Sequence, residues 1–147
     1  AAALEAQRPA AGRMEVRRAR GAPLLVDCYN ANPDSTAAAL ETLERWPGAA
    51  RRIAVLGDML ELGGAAGALH RETGARARAA ELWAVGEYAA DTVAGARAAG
   101  IAARTFEGIG PLATSLADAL APGVVVLLKA SRGARLERVL EGLEWDG

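Results

Sequence analysis

The chain has 147 residues and a formal net charge of −1 at pH 7, a length suited to one domain with a real core and a charge too evenly balanced to hold a nucleic acid or an anionic membrane. It contains no run of about twenty apolar residues and no charged N-terminal segment leading into an apolar stretch, so neither a membrane span nor a signal peptide is read, and a cytoplasmic protein is expected. Cys28 is the single cysteine, which excludes an intramolecular disulfide and any CxxC metal or redox motif.

Residues 1–11 are helix-prone up to Pro9 and read as the tail of an upstream element. Residues 14–20 alternate loosely, as in an edge strand with its arginines facing water. Gly21 and Pro23 precede 24–27, a short apolar run typical of a strand buried on both faces. A helix is expected from Pro33 to about Arg45, with Asp34 or Ser35 as its N-cap. Ala38, Leu40, Leu43 and Trp46 fall near helical spacing, and Pro47-Gly48 stops the run.

The next buried strand is 52–56, ending at Gly57-Asp58. A glycine-punctuated loop follows, then a helix through Leu69, His70, Thr73 and Arg76 to about Ala80. Residues 82–85 predict another strand, 89–99 a helix closed by Gly100, 102–106 a short strand, and 109–120 a helix with Pro111 in its first turn. The most hydrophobic strand is 124–128, which runs into Lys129-Ala130-Ser131-Arg132. Leu136, Val139, Leu140 and Leu143 predict one face of a final helix.

This alternation of strands and helices with short connections predicts an α/β, Rossmann-like three-layer domain, its mostly parallel sheet covered by helices on both faces. Neither GxGxxG nor the P-loop pattern GxxxxGK[ST] follows any strand, so the fold does not by itself imply a dinucleotide or a P-loop triphosphate site. The turn 27–32, Gly57-Asp58 and the segment 129–132 all follow strands, and in such a sheet they gather at the carboxyl edge, where ligands bind.

Asp27 has two readings, a carboxylate holding ribose hydroxyls or a cap on the following turn. Asn30 and Asn32 each offer a donor and an acceptor to a peptide-like substrate, against a plain role in the turn. Lys129 is the only lysine among 17 basic residues. With Arg132 it suits a carboxylate or phosphate, which the guanidinium can take bidentately. Arg13 alone reads as a solvated charge. His70 is the only histidine and reads as a hydrogen-bonded or exposed helical residue before a catalytic base. Cys28 reads as a small buried apolar residue before a nucleophile, and Trp46, Trp83 and Trp145 as packing residues.

The strings Asp27-Cys28-Tyr29-Asn30-Ala31-Asn32-Pro33-Asp34-Ser35 and Val55-Leu56-Gly57-Asp58-Met59-Leu60-Glu61-Leu62-Gly63 resemble the Mur ligases, and among them the MurF type. Gly12-Arg13, His70, Val85-Gly86, Lys129 and Ser131-Arg132 add to the resemblance, which covers nearly the whole chain but only the C-terminal third of such an enzyme. It implies that residues 1–12 are a linker or the end of a central domain and that 13–147 are the Mur ligase C-terminal domain. The resemblance further implies an ATP-dependent ligase that adds D-alanyl-D-alanine to UDP-N-acetylmuramoyl-tripeptide in peptidoglycan precursor synthesis. ATP and Mg2+ would serve the full-length enzyme, with neither bound by this domain alone. The partners implied are the central and N-terminal domains of the same enzyme.

Carried over by position, Arg13, Asp27, Tyr29 and Asn30 are expected on the ATP side. Asn32, Asp58, Lys129, Ser131 and Arg132 are expected on the substrate side. No complete catalytic set and no metal site is expected within the domain. One departure from the family pattern is Ala130, where a glycine is usual; were that position to need φ > 0, alanine would be strained by about 1 kcal/mol. The alternatives are the C-terminal domain of another Mur or folylpolyglutamate-type ligase, and a non-catalytic Rossmann-like binding module.

Overall fold

The computed structural model describes residues 14–147; the stretch 1–12 and Arg13 lie outside the described residues. Its centre is β6 (Val124–Lys129), Val-Val-Val-Leu-Leu-Lys, in which every residue is buried. β-Branched and leucine side chains with no polar alternation suit a strand covered on both faces. The other strands are β1 (Glu15–Ala19), β2 (Ala22–Asp27), β3 (Arg51–Leu56), β4 (Glu81–Val85) and β5 (Ala103–Phe106). They form one sheet in the order β1-β2-β6-β3-β4-β5. Only β1 is antiparallel to its neighbour.

Side chains alternate across the sheet and feed two cores. Leu25, Ala54, Leu56, Leu82, Ala84 and Leu127 face α1 (Pro33–Glu44) and α3 (Ala89–Ala98), and α2 (Ala66–Gly74) packs on α3. Leu24, Ile53, Val55, Trp83, Val126 and Leu128 face α4 (Ile109–Ala119) and the C-terminal segment. The expected three-layer α/β architecture is therefore the observed one. No helix among the described residues is long and apolar enough to cross a membrane.

Four local expectations are corrected. The N-cap of α1 is Asn32, not Asp34 or Ser35: its side chain accepts from the Ser35 amide at 2.8 Å while Ser35 Oγ accepts from the Asn32 amide at 3.0 Å. Pro33 decides this, because it suits the first helical position and drives the residue before it into the extended conformation. α2 ends at Gly74 rather than near Ala80. The alanine-rich stretch after it has helix propensity, but Ala77 is drawn into the core and the chain must reverse to enter β4.

The final helix is absent as well. Its place is taken by two 3₁₀ turns, Arg132–Ala134 and Leu136–Leu140, separated by Arg135 at φ 54°. Leu136, Val139 and Leu140 are still buried, since spacings of three and four residues serve a 3₁₀ turn packed on a sheet as well as an α-helix. Finally, not all the β1 arginines face water: the Arg17 guanidinium lies 3.6 Å from the ring centre of Trp145. The C-terminal chain is tied to the same edge by Asp146, whose carboxylate accepts from the amides of Arg20 and Gly21.

α2 and α3 cross at two glycines. A Cβ on Gly74 would stand 2.0 Å from the Thr92 carbonyl oxygen, and one on Gly95 would stand 1.9 Å from that of Arg71. This close crossing brings the loop before α3 against the loop after β3.

Candidate functional site

The carboxyl ends of β2, β6 and β3 lie side by side, with Asp27 opposite Lys129 and Lys129 opposite Leu56. The loops leaving these three strands hold most of the polar residues singled out in the sequence. The Lys129 ammonium stands 3.0 Å from Asp27 Oδ2 and donates to the Asn30 carbonyl at 2.7 Å. Both charged residues are buried, Lys129 to 3 % exposure and Asp27 to 9 %. Burying a charge is costly unless an opposite charge stands beside it, and each of these two is the other's partner.

Ser131 also works within the fold. Its hydroxyl donates to the Ala31 carbonyl at 3.2 Å and accepts from the Leu60 amide at 2.9 Å, joining the loops after β2, β3 and β6. Asp58 accepts from the amides of Glu87 and Tyr88 at 2.9 and 3.0 Å, fixing the entry to α3. Gly86 stands against that carboxylate, where a Cβ would be 2.6 Å from either oxygen. A cleft of about 280 Å³ opens beside it, lined by Gly57, Asp58, Val85, Gly86, Phe106 and Ile109 among others.

Three side chains of the proposed set remain open to solvent: Tyr29, Asn30 and Arg132. The Arg132 guanidinium lies 5.5 Å from the ring centre of Tyr29, so a cation and an aromatic face are presented together. Asn32 is exposed too, but its side-chain oxygen is engaged at the helix cap. Sequence reasoning missed Leu60 as an individual residue. It is one of two large apolar side chains exposed among the described residues, the other being Tyr29. Its only signal was its place in the loop after β3.

Neither reactive side chain near this edge is poised for covalent chemistry. Burial, reinforced by Glu137 and Asp27, pushes the Cys28 thiol up to about 12, so it stays protonated. His70 is buried; its Nδ1–H donates to the Ala66 carbonyl at 2.7 Å and its Nε2 accepts from the Met59 amide at 3.0 Å. Nε2 thus holds the loop after β3 while Nδ1 is satisfied within α2, and the ring stacks on Tyr88 at 4.5 Å. The edge can therefore bind and orient a ligand. Ala130 has no positive φ, so the strain conditional on that backbone does not arise; its methyl instead occupies space that a Cβ on Gly57 would contest at 2.8 Å.

The family profile "Mur ligase, glutamate ligase domain" matches residues 12–132, a span that includes every residue of the candidate set. The chain belongs to the Mur ligase family. A UDP-N-acetylmuramoyl-tripeptide–D-alanyl-D-alanine ligase of Mycobacterium tuberculosis is 38% identical over an alignment covering 99% of this chain and 34% of the relative. That of Escherichia coli is 36% identical, covering 84% of this chain and 27% of the relative. The crystal structure of the MurF ligase of Thermotoga maritima in complex with ADP superposes with a TM-score of 0.75 at 32% identity, covering 94% of this chain and 31% of that one. The chain thus spans about a third of the length of these Mur ligases.

Proposed function

We propose that this Mur ligase domain is the C-terminal, closing domain of an ATP-dependent ligase that adds D-alanyl-D-alanine to UDP-N-acetylmuramoyl-tripeptide during peptidoglycan precursor synthesis in the cytoplasm. In this reading residues 13–147 form the domain, residues 1–12 connect it to a central domain, and the partners are the central and N-terminal domains. The observation that carries the proposal is the ordered carboxyl edge, where Asp27 is held at a strand end beside the exposed Tyr29–Arg132 pair. The likeness to relatives that carry this name, one of them solved with ADP, supports it.

In this reading the side chains divide the work. Asp27 and Tyr29 offer a carboxylate and an aromatic face to a nucleoside. Arg132 offers an exposed guanidinium to a phosphate or a peptide carboxylate. Arg13 is proposed as a further phosphate contact, Asn30 as a contact on the nucleotide side, and Asn32 and Asp58 as contacts on the peptide side through what remains of their hydrogen-bonding capacity. Among the described residues no group of three or more His, Cys, Asp or Glu side chains could hold a metal ion. No step here runs through a metal ion. Closure of such a domain aligns the carboxylate, nucleotide and amine and excludes water.

The test is a phosphate-release assay on the full-length enzyme with ATP, Mg2+, UDP-tripeptide and either D-alanyl-D-alanine or single amino acids. Turnover with the dipeptide and not with amino acids is expected, and the 147-residue chain alone should release none above background. Preference for a single amino acid, or turnover by the isolated chain, overturns the reading.

A further inference from the structure

We infer that Lys129 is a positioning residue that sets the shape of the turn between β2 and α1 and acts on the nucleotide only through Asp27. The inference rests on the reading of Asp27 as the acid that meets the nucleotide ribose. From the last position of β6 the lysine stem runs to the neighbouring strand end, where its ammonium meets Asp27 Oδ2 and the Asn30 carbonyl at 3.0 and 2.7 Å. One cation thereby holds both sides of a short turn. Its side chain is 3 % exposed and that of Asp27 13 %, so the ammonium is turned inward and the carboxylate keeps a narrow outward face.

The choice of lysine has a physical reason. Every other basic side chain is arginine, whose donors spread in a rigid planar fork, whereas an ammonium is a compact charge with three donors that can serve two acceptors converging from different directions. A carboxylate torsion is broad and roughly two-fold when left alone. With Oδ2 engaged by Lys129, Oδ1 has no hydrogen-bond donor among the described residues and is the oxygen presented to a ligand hydroxyl. A pre-set acceptor of this kind lowers the ordering cost of binding.

The test compares ATP with 2′-deoxy-ATP and 3′-deoxy-ATP in steady-state assays of the full-length enzyme. Asp27→Asn should raise the KM for ATP about tenfold and abolish discrimination against one of the deoxy nucleotides. Lys129→Met should do the same with the KM for D-alanyl-D-alanine unchanged, and Lys129→Arg should fall between the parent enzyme and Lys129→Met. The double variant Asp27→Asn/Lys129→Met removes both buried charges together and covers the case in which Lys129→Met alone fails to fold. If Lys129 acts through Asp27, the double variant matches Asp27→Asn alone instead of multiplying its effect.

A multiplied effect, or a Lys129→Met enzyme that changes the KM for the dipeptide and not for ATP, overturns the inference while leaving Asp27 in its role. An Asp27→Asn enzyme that still discriminates between the nucleotides overturns the ribose reading and the inference together.

Discussion

Gly95→Ala sets two effects of opposite sign against each other. Within a helix, glycine to alanine should stabilise by up to about 1 kcal/mol through propensity. At this position the new methyl would lie 1.9 Å from the Arg71 carbonyl oxygen, and real Cβ contacts essentially never fall under 3.0 Å. α2 and α3 must therefore part by roughly 1 Å, a gap that forfeits a quarter to a half of each contact's attraction along the crossing. Backbone shifts of this kind typically cost about 1–3 kcal/mol and occasionally more. The obstacle is main chain, which cannot rotate aside, so the upper part of that range applies.

The net expectation is a loss of about 2 kcal/mol, or roughly 6–8 °C in Tm for a chain of this size. Thermal unfolding of the 147-residue chain followed by circular dichroism would measure it. Gly67→Ala in α2 is the control: its methyl meets nothing nearer than 3.5 Å, so stability should be unchanged or slightly raised. A Gly95→Ala protein as stable as the parent, with Gly67→Ala behaving as stated, would refute the reasoning from backbone contact.

Two further outcomes follow from buried polar groups. His70→Leu removes the acceptor of the Met59 amide, and denaturant titration should show a loss of about 1–3 kcal/mol for the unpaired donor; a loss under about 0.5 kcal/mol would mean that the loop finds another partner. Cys28, raised from 9.0 to about 12, should resist alkylation at pH 8 in the native chain and react once it is unfolded. Because the thiol is raised in the folded state, its contribution to stability is complete below pH 9 and is lost as pH rises toward about 12. Denaturation midpoints across that window should fall for the parent protein and fall less for Cys28→Ala.

Another ion pair illustrates the opposite sign. The Arg51 guanidinium, donating to both Glu81 oxygens at 2.7 and 3.1 Å, holds the Glu81 carboxyl below the usual carboxylate range. Its stabilisation is present at neutral pH and lost as pH falls through that lowered value. Both side chains are substantially exposed, so solvent screening keeps the effect small.

Strand and helix placement was legible because it is local. Apolar runs such as 124–128 and the proline at the start of α1 act on residues within a few positions of themselves, and all six strands lie within two residues of where the pattern puts them. The carboxyl edge was legible as a location, since a mostly parallel sheet delivers every strand end to one side, and the family strings marked which ends to watch. Local signals fail where distant packing overrides them. Residues after Gly74 have good helix propensity yet leave the helix, and the apolar spacing at 136–143 is compatible with the 3₁₀ turns that replace the expected helix.

What the sequence determined by itself is therefore the α/β class, the strand ends, the family and the set of polar side chains at one edge. Only the tertiary structure decided what each of those side chains does. Lys129 and Asn30 are 99 residues apart in the chain, and no periodicity reports that an ammonium from one strand will be buried against a carboxylate and a carbonyl from another. The same holds for Gly74 and Gly95, unremarkable in sequence and indispensable to a backbone crossing. Hydrogen bonds and close contacts are short-ranged in space, so which groups face a ligand and which face one another is settled only when the sheet brings distant segments together.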